Sequence, residues 1–326
     1  MWRVSVKHKY LLLGWGLALI AVLAVIICFS LKLYVDHQTN VAKSLSASRH
    51  YASVRISESK RSMFSKQAAS RRQQEAARRQ SSEQVQSNSG RTHIPAADPY
   101  AYPIAQVKQE MTAPNTSSIK EKVVFLTFDD GPNTIISPQV LDILNRESVH
   151  GTFFVVGRQL SPETTPVLKA EYDAGHAIGL HSMTHNYNLL YPNRVGATSA
   201  IENEAKTEQT AVKQALGPDF NTHLWRYPGG HFSWKGLTGA DTGLVRLGLD
   251  WIDWNAAVGD ALGPAQAPKT EEAMLQYHLR SLMVYPDSHV RVVLMHDAVG
   301  KDLTVKTLPK IIAYYRSNGY KFGILE

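Results

Sequence analysis

The sequence predicts an α/β fold whose largely parallel strands close into an incomplete or distorted barrel. From about residue 119, short apolar segments rich in β-branched and aromatic residues recur, and helical patterns separate several of them. The seven predicted strands cover 122–128, 150–156, 176–181, 223–227, 248–254, 290–296 and 320–325. Helices are predicted over 137–147, 162–174, 198–216, 270–285 and 303–318. In folds of this kind, the chemistry lies on loops that follow the carboxyl ends of the strands.

The charge of the chain is divided unevenly between its parts. The 326 residues are 44% hydrophobic and 19% charged, which is ordinary for a folded protein, and the formal net charge is +7. Residues 1–35 contribute +4 and residues 36–100 contribute +6, whereas residues 101–326 carry 20 basic and 23 acidic residues and contribute −3. The basicity therefore belongs to the N-terminal third, and the acidic balance of the globular part argues against nucleic-acid binding. The single cysteine, Cys28, excludes an intramolecular disulfide.

Residues 1–35 predict a cytosolic leader and a transmembrane anchor. An uncharged apolar stretch separates Lys9 from Lys32, and about 20 such residues cross a hydrocarbon core about 30 Å thick. Arg3 and Lys7 precede this stretch, so we expect the leader in the cytosol and the rest of the chain outside the cell. A cleaved signal peptide is the alternative, but the stretch is long for one and no clear cleavage site follows it.

Residues 36–118 predict a polar, largely disordered extracellular stalk that precedes a single domain at 119–326. The segment is rich in Ser, Gln, Arg, Lys and Ala, and no strand alternation persists in it. A polar helix over part of 56–86 is the alternative, but such a helix has no broad apolar face to bury.

Two groups of polar residues at predicted strand ends favour a metal site. Asp129 and Asp130 follow the first strand, and a cation bound by one of these carboxylates leaves the other as a base. His181 and His185 are spaced i and i+4, so we expect them on one face of a helical turn, within reach of the same ion. One carboxylate and two imidazoles with an open position are typical of a catalytic metal centre. An ordinary Asp-Gly turn and a structural His pair are the alternatives.

Three further groups supply candidates for hydrolytic chemistry. In the segment 226–230, the arginine can orient a carboxylate and the glycines can expose backbone N–H groups to an oxyanion. Two tryptophans and several acids cluster between Asp250 and Asp260, where the indoles either stack on sugars or pack in the core. His296 follows a strongly apolar strand and is placed for proton transfer. Together with a cation, these groups indicate metal-assisted hydrolysis.

Five motifs occur in order along the globular part: TFDDGP, HSMTH, RYPGG, the segment from Trp254 to Asp260, and LMHD. Together they resemble the motifs of the polysaccharide deacetylases of carbohydrate esterase family four, the NodB-homology group. The resemblance covers about residues 120–326 and implies a distorted (β/α)7 barrel, in agreement with the strand count. The layout of anchor and stalk is similar to that of the membrane-anchored peptidoglycan N-acetylglucosamine deacetylases of Gram-positive bacteria.

The resemblance implies a catalytic role for some residues and a metal-binding role for others. Asp129 would be the general base, and Arg226 would hold it in place. His296 would be the general acid, and Asp260 would orient it and keep it charged. The ligands of one divalent ion, zinc in the first place and Co²⁺, Mn²⁺ or Ni²⁺ otherwise, would be Asp130, His181 and His185.

Four further residues are expected to contact the substrate. By resemblance, the backbone N–H of Gly229 would help to bind the oxyanion, and Leu294 would line the pocket for the acetyl methyl group. Tyr227 and Trp254 are expected to contact the sugar.

Two departures from the family pattern concern the substrate groove. Gly229 stands where the third motif usually has Tyr, so one wall of the groove is lost while the amide is kept. Ala261 stands where the fourth motif usually has Trp. We therefore expect an acetyl pocket that is more open, or one that Trp234 or another aromatic residue closes.

The expected function is metal-dependent removal of acetyl groups from N-acetylglucosamine residues of peptidoglycan. The enzyme is expected in the cell membrane with a single span, its domain facing the cell wall. The alternatives are another acetylated glycan, namely chitin oligomers, poly-N-acetylglucosamine or acetylxylan, and a non-catalytic glycan-binding module. The expected partners are the glycan and the membrane, without nucleic acid, and no protein partner is inferred.

Overall fold

The computed structural model describes Lys32, residues 91–114, Thr116 and residues 118–326. The predicted anchor and most of the predicted stalk lie outside the described residues. The described domain belongs to one compact unit, Ser82–Glu326, which is distinct from Met1–Ser81. Within the part of the chain that the structure describes, none of the helices combines the length and the apolar character that a membrane crossing requires.

Strands and helices alternate along the described domain. The strands are β1 (Ala101–Tyr102), β2 (Val123–Asp129), β3 (Thr152–Val155), β4 (Ala177–Leu180), β5 (Leu224–Trp225), β6 (Asp250–Trp251), β7 (Ala256–Ala257), β8 (Val290–His296) and β9 (Lys321–Leu325). The α-helices are α1 (Ile104–Thr112), α2 (Ser137–Glu147), α3 (Thr165–Asp173), α4 (Tyr187–Leu190), α5 (Thr198–Leu216), α6 (Thr238–Arg246), α7 (Glu271–Leu282) and α8 (Asp302–Ser317). Every predicted strand and helix is present, and the structure adds β1, β7, α1, α4 and α6.

A curled sheet of parallel strands forms the frame of the domain. β2 pairs along one whole edge with β8, from Val123 opposite Val290 to Asp129 opposite His296. Its other edge is shared, because β9 pairs with the first half of β2 and β3 pairs with the second half. The sheet continues from β3 through β4 and β5 to β6, and β7 lies on the far edge of β8. Strands β2 to β8 thus curl into an incomplete barrel, in which the described strands β6 and β7 do not pair with each other.

One strand of this barrel differs from the sequence prediction. The predicted strand at 320–325 forms β9, which pairs with β1 and with the amino half of β2. The remaining place in the barrel, beside β8, is taken by β7, where Ala256 and Ala257 are the paired residues. Two alanines carry no alternating or β-branched pattern, so the sequence contains no signal for this strand.

The long strands β2 and β8 lie side by side in the sheet and are largely apolar on both faces. Every residue of both strands is buried, as expected for parallel strands that are covered on both sides. Successive side chains of β2 enter two different cores, with Val124, Leu126 and Phe128 in one and Val123 and Phe125 in the other. This packing fixes the strands along their length, and so it fixes the polar residues at their carboxyl ends.

The domain begins earlier than the sequence predicts. Residues 91–114, which the prediction assigned to the stalk, include β1, which pairs with the last residues of β9, and α1, whose Ile104 and Val107 are buried. The backbone N–H of Ile104 donates to the carbonyl of Glu326 at 2.7 Å. The predicted start at 119 is therefore wrong for this segment. A two-residue strand and a short helix with few apolar positions are ordered by docking onto the barrel rather than by local pattern.

Candidate active site

Asp129 ends β2 and lies in a buried hydrogen-bond network with Arg226. The Arg226 Nη1 group donates to Asp129 Oδ1 at 2.8 Å and to Thr127 Oγ1 at 2.7 Å. Its Nε group donates to the carbonyl of Ile252 at 3.1 Å, and its guanidinium plane lies 4.0 Å from the ring centroid of Phe154. Both charged side chains are buried. A buried carboxylate requires such a partner, so the orientation of Asp129 depends on Arg226.

Asp130 follows with a left-handed backbone, and its carboxylate lies near the two histidines. Its φ is 77°, and its Oδ1 atom is buried without a hydrogen-bond partner in the described domain. This oxygen lies 3.6 Å from His181 Nε2 and 3.3 Å from His185 Nε2. Burial opposes ionisation, but the neighbouring imidazoles outweigh it and lower the pKa of Asp130. The turn also needs a glycine next, since a Cβ atom on Gly131 would lie 2.3 Å from Asp297 Oδ2.

The two histidines lie in an irregular loop after β4, rather than on the helical turn that the sequence predicts. Both Ser182 and His185 have positive φ, at 72° and 51°. Nδ1 of His181 lies 2.8 Å from the carbonyl of Arg226, which can only accept, so Nδ1 carries the proton and the lone pair of Nε2 is available. Burial and the adjacent His181 lower the pKa of His185 to about 4, which keeps this ring neutral.

Asp130, His181 and His185 fit a divalent cation. Each offers one ligand atom, and these atoms all lie within 4.8 Å of one another. One carboxylate and two neutral imidazoles form a donor set that zinc and similar ions accept, and the unpartnered Oδ1 of Asp130 is the orphaned buried atom that a cation would satisfy.

Two glutamates of α5 support the loop that carries these histidines. Glu208 Oε1 accepts from the backbone N–H of His181 at 3.0 Å, and this carboxylate also accepts from the backbone of Ser182. Glu204 Oε2 accepts from the backbone N–H and the hydroxyl of Thr184, at 2.7 and 2.9 Å. The sequence analysis missed both glutamates, because nothing distinguishes them from the other polar residues of an amphipathic helix.

His296 ends β8 and forms an ion pair with Asp260. Its Nδ1 atom lies 2.9 Å from Asp260 Oδ1, and its backbone N–H donates to Oδ2 at 2.9 Å. The hydroxyl of Thr304 also donates to Oδ2 at 2.9 Å, so the carboxylate is held firmly. Burial disfavours the imidazolium, but the ion pair outweighs burial and raises the pKa of His296 to about 9. At neutral pH this ring therefore carries a proton that it can donate.

The Gly229–Gly230 turn presents backbone amides beside these groups. Both residues have positive φ, at 77° and 83°, and Gly230 also leaves room for Trp254, whose Cη2 atom would lie 2.7 Å from a Cβ atom at position 230. The carboxylate of Asp253 accepts hydrogen bonds from the backbone N–H groups of His231 and Phe232, at 2.8 and 3.2 Å. The N–H of Gly229 makes no hydrogen bond within the described domain and is free to donate.

The residues predicted to contact the substrate differ in their burial. The prediction for Tyr227 is wrong, since its side chain is fully buried and its hydroxyl donates to Asp241 at 2.9 Å. Leu294 is buried within β8, opposite Thr127 of β2. Trp254 is half-buried, with its ring centroid 5.8 Å from the Arg226 guanidinium.

An aromatic group borders the turn on the other side. Trp234 donates from Nε1 to the carbonyl of Pro228 at 2.8 Å and stacks on Tyr191 with ring centroids 4.0 Å apart. Tyr187 lies edge-on to Trp234 at 5.2 Å and equally near the ring of His185. Burial, and then the charges of Asp130 and Asp129, raise the pKa of Tyr187. Trp234 therefore lies beside Gly229, and Tyr187, which the sequence analysis missed, lies at the rim of the site.

Comparisons with known proteins identify relatives of this chain. A family model described as "Polysaccharide deacetylase" matches residues 116–241. A peptidoglycan-N-acetylglucosamine deacetylase of Bacillus cereus is 31% identical over 219 residues, which cover 67% of this chain and 74% of the relative. A chitooligosaccharide deacetylase of Bradyrhizobium sp. is 31% identical, with coverage of 61% and 86%.

A solved structure extends the likeness to three dimensions. The structure of a Streptococcus mutans esterase of carbohydrate esterase family four is 45% identical, with a TM-score of 0.68, and the match covers 72% of this chain and 96% of that one. The chain therefore belongs to the polysaccharide deacetylases of carbohydrate esterase family four, the NodB-homology group.

Proposed function

We propose that this protein is a metal-dependent deacetylase that releases acetate from N-acetylglucosamine residues of peptidoglycan. The observation that carries the proposal is the convergence of Asp130, His181 and His185, whose ligand atoms lie within 4.8 Å of one another. They lie beside a buried carboxylate held by Arg226 and near the protonated His296. This is the set of groups that hydrolysis of an amide needs.

The proposed cofactor is one divalent ion, with zinc as the first choice and Co²⁺, Mn²⁺ or Ni²⁺ as ions that the same donors accept. Asp130, His181 and His185 would hold it. When bound, the cation would polarise the acetyl carbonyl and lower the pKa of a water molecule.

The residues around the cation would divide the reaction between them. Asp129 would accept a proton from the water molecule while the water oxygen attacks the carbonyl carbon. The N–H of Gly229 would donate a hydrogen bond to the oxyanion that forms. His296 would then give its Nε2 proton to the sugar nitrogen as the C–N bond breaks. The products are acetate and a free amine. Asp260 would keep His296 charged for this step.

The proposed substrate follows from the sugars that the relatives' names share. The Bacillus cereus relative is named for N-acetylglucosamine in peptidoglycan, and the Bradyrhizobium relative is named for chitooligosaccharides. Both names point to acetamido sugars, which supports an N-acetyl substrate. A chitin oligomer is the second candidate on this ground. We favour peptidoglycan because the sequence predicts a chain anchored in the membrane with this domain outside the cell.

Acetate release by the full-length protein tests the proposal. Purified peptidoglycan strands, N-acetylglucosamine oligomers and acetylxylan would be compared side by side, before and after removal of metal with a chelator and readdition of Zn²⁺. We expect release from peptidoglycan that stops on chelation and returns with Zn²⁺. Binding of glycan without acetate release at saturating metal would instead indicate a non-catalytic glycan-binding module and would contradict the proposal.

The proposed membrane location has its own test. Fractionation of cells that produce the full-length chain, followed by protease treatment of intact cells with the wall removed, would report on anchoring and sidedness. We expect the domain in the membrane fraction and open to protease from outside. Recovery of a shortened chain in the medium would support a cleaved signal peptide.

A further inference from the structure

Tyr187 stands at the rim of the site with an exposed side chain. It is the first residue of α4, two positions after His185, and it is 43% exposed, whereas Tyr191 one turn later is buried. The ring centroids of Tyr187 and His185 are 5.2 Å apart, with the planes tilted by 38°. This side chain is therefore next to a proposed metal ligand and partly open to solvent.

The ring of Tyr187 is held in place by packed neighbours. Its edge contacts Trp234, at 5.2 Å between centroids and an interplanar angle of 67°. Trp234 is itself fixed, because it stacks on Tyr191 and donates a hydrogen bond to the carbonyl of Pro228. The position of Tyr187 is thus tied to the same loop that presents Gly229, and little rotamer freedom would be lost when a ligand binds.

The hydroxyl of Tyr187 occupies the space that a side chain at position 229 would need. A Cβ atom on Gly229 would lie 3.1 Å from this oxygen and 3.2 Å from Cζ2 of Trp234. The hydroxyl therefore reaches the turn whose N–H we assign to the oxyanion, between that turn and the histidine loop. Any substrate that brings an acetamido carbon to this turn passes within reach of the phenol.

We infer that Tyr187 is a substrate-binding residue, whose hydroxyl donates a hydrogen bond to an oxygen of the acetylated sugar and whose ring forms one wall of the groove. This inference rests on the proposed deacetylase function. The inference assigns the groove wall beside Gly229 to a residue that follows the histidine loop, because Gly229 has no side chain that could form this wall.

The test compares two Tyr→Phe substitutions in one aromatic group. Tyr187→Phe keeps the ring and removes the hydroxyl at the rim. Tyr191→Phe removes a buried hydroxyl that has no hydrogen-bond partner in the described domain, so this control should leave activity within about twofold of wild type. The kinetic constants would be measured with a defined N-acetylglucosamine oligomer and with peptidoglycan strands, and Zn²⁺ affinity would be measured by chelator competition.

We expect Tyr187→Phe to lower kcat/KM about fivefold to tenfold, mainly through a higher KM, as loss of one hydrogen bond predicts. Zn²⁺ affinity should stay within about twofold of wild type in both variants. The inference is overturned if Tyr187→Phe matches wild type, if Tyr191→Phe shows an equal loss, or if Zn²⁺ affinity falls in step with activity.

The same experiment separates failure of the inference from failure of the proposed function. If the wild-type protein releases no acetate from any glycan, the proposed function fails. The inference is then judged by glycan affinity, measured by calorimetry on the same proteins. Equal dissociation constants for wild type and Tyr187→Phe would overturn it, and a selective weakening in Tyr187→Phe would support it.

A second variant pair examines the contact with position 229. Gly229→Ala places a methyl group against the Tyr187 hydroxyl and also strains a backbone with φ of 77°. The backbone strain is the same in a Tyr187→Phe background, so a double-mutant cycle isolates the contact. We expect Gly229→Ala to reduce kcat/KM less in the Tyr187→Phe background than in wild type. Strictly multiplicative losses would overturn the placement of the hydroxyl at this turn.

Discussion

The two sides of the site hold imidazoles in opposite states of protonation. On the metal side, which comprises Asp130, His181 and His185, burial and a neighbouring ring lower the pKa of His185 to about 4. On the acid side, which comprises His296 and Asp260, burial acts in the same direction, but the ion pair raises the pKa of His296 to about 9. One side therefore offers a lone pair at neutral pH, and the other offers a proton.

The difference between the sides comes from the ion pair of His296, because burial lowers the pKa of both His185 and His296. His181 on the metal side donates a hydrogen bond from Nδ1 to a neutral backbone carbonyl, whereas His296 on the acid side faces a full negative charge. A carbonyl fixes the tautomer without stabilising the imidazolium as strongly as a carboxylate does. The carboxylate of Asp260 therefore distinguishes the acid side from the metal side.

The largest effect is expected on stability, at Arg226. Its side chain contacts the buried carboxylate of Asp129 and neither side's histidines. Arg226→Ala leaves that carboxylate without its partner, so we expect a loss of about 3–5 kcal/mol in the free energy of unfolding. Urea denaturation of metal-free protein would measure it. Arg246→Ala, which breaks an exposed pair with Glu202, is the control and should cost at most about 1 kcal/mol. Equal stabilities for the two variants would contradict the prediction.

Substitution of the carboxylate on the metal side should affect metal binding and leave the acid side intact. We expect Asp130→Asn to weaken Zn²⁺ binding by more than about 100-fold, because it removes the one charged ligand of the set. Chelator competition would measure this, with Asp173→Asn on the surface of α3 as a control. If Asp130→Asn bound Zn²⁺ as tightly as wild type, the ligand set would have to be reassigned.

A smaller effect is expected beneath the metal side, at Glu208. Glu208→Ala removes the acceptor that holds the backbone of the histidine loop, and we expect about tenfold weaker Zn²⁺ binding. Glu208→Gln retains an oxygen at the same position and should recover most of the affinity. Calorimetric titration with Zn²⁺ would compare the two. An equal loss in both variants would show that charge, and not loop support, is the contribution of Glu208.

The smallest effect is a shift in pH dependence on the acid side. A general acid works only when protonated, so activity should fall as pH rises through the pKa of His296. Asp260→Asn removes the charge that raises this pKa, so the alkaline limb of the kcat/KM profile should move to lower pH by at least about one unit. Thr304→Val, which removes one hydrogen bond to Asp260 and no charge, should move it less. An unmoved limb in Asp260→Asn would argue against His296 as the acid.

The residues at strand ends could be predicted from the sequence, because the strands are recognisable as apolar segments rich in β-branched and aromatic residues. Asp129 and His296 close two strands that are buried throughout and largely apolar, and His181 follows a third. Parallel strands bring their carboxyl ends to one edge, so strand recognition alone places these side chains together. Arg226 lies within the predicted strand 223–227 and directly follows β5 in the structure.

The features that the sequence could not predict depend on contacts between distant segments. β7 consists of two alanines that form a strand only through pairing with β8. The first residue of α1, Ile104, donates a hydrogen bond to Glu326, which is distant in sequence. Tyr227 and Tyr187 illustrate the same limit within the site. The burial of one and the exposure of the other depend on the turn of each loop, and neither turn follows a helical or strand period.

The described N-terminal segment meets the barrel at two places. Residue 91 forms a bridge to Phe220, ahead of β5, and β1 joins the strand that pairs with the amino half of β2. The metal side and the acid side lie at the carboxyl end of β2, about 20 Å from its amino end at Val123. The bridge at residue 91 lies ahead of the amino end of β5, so a ligand that enters at the carboxyl ends of the strands would not meet it.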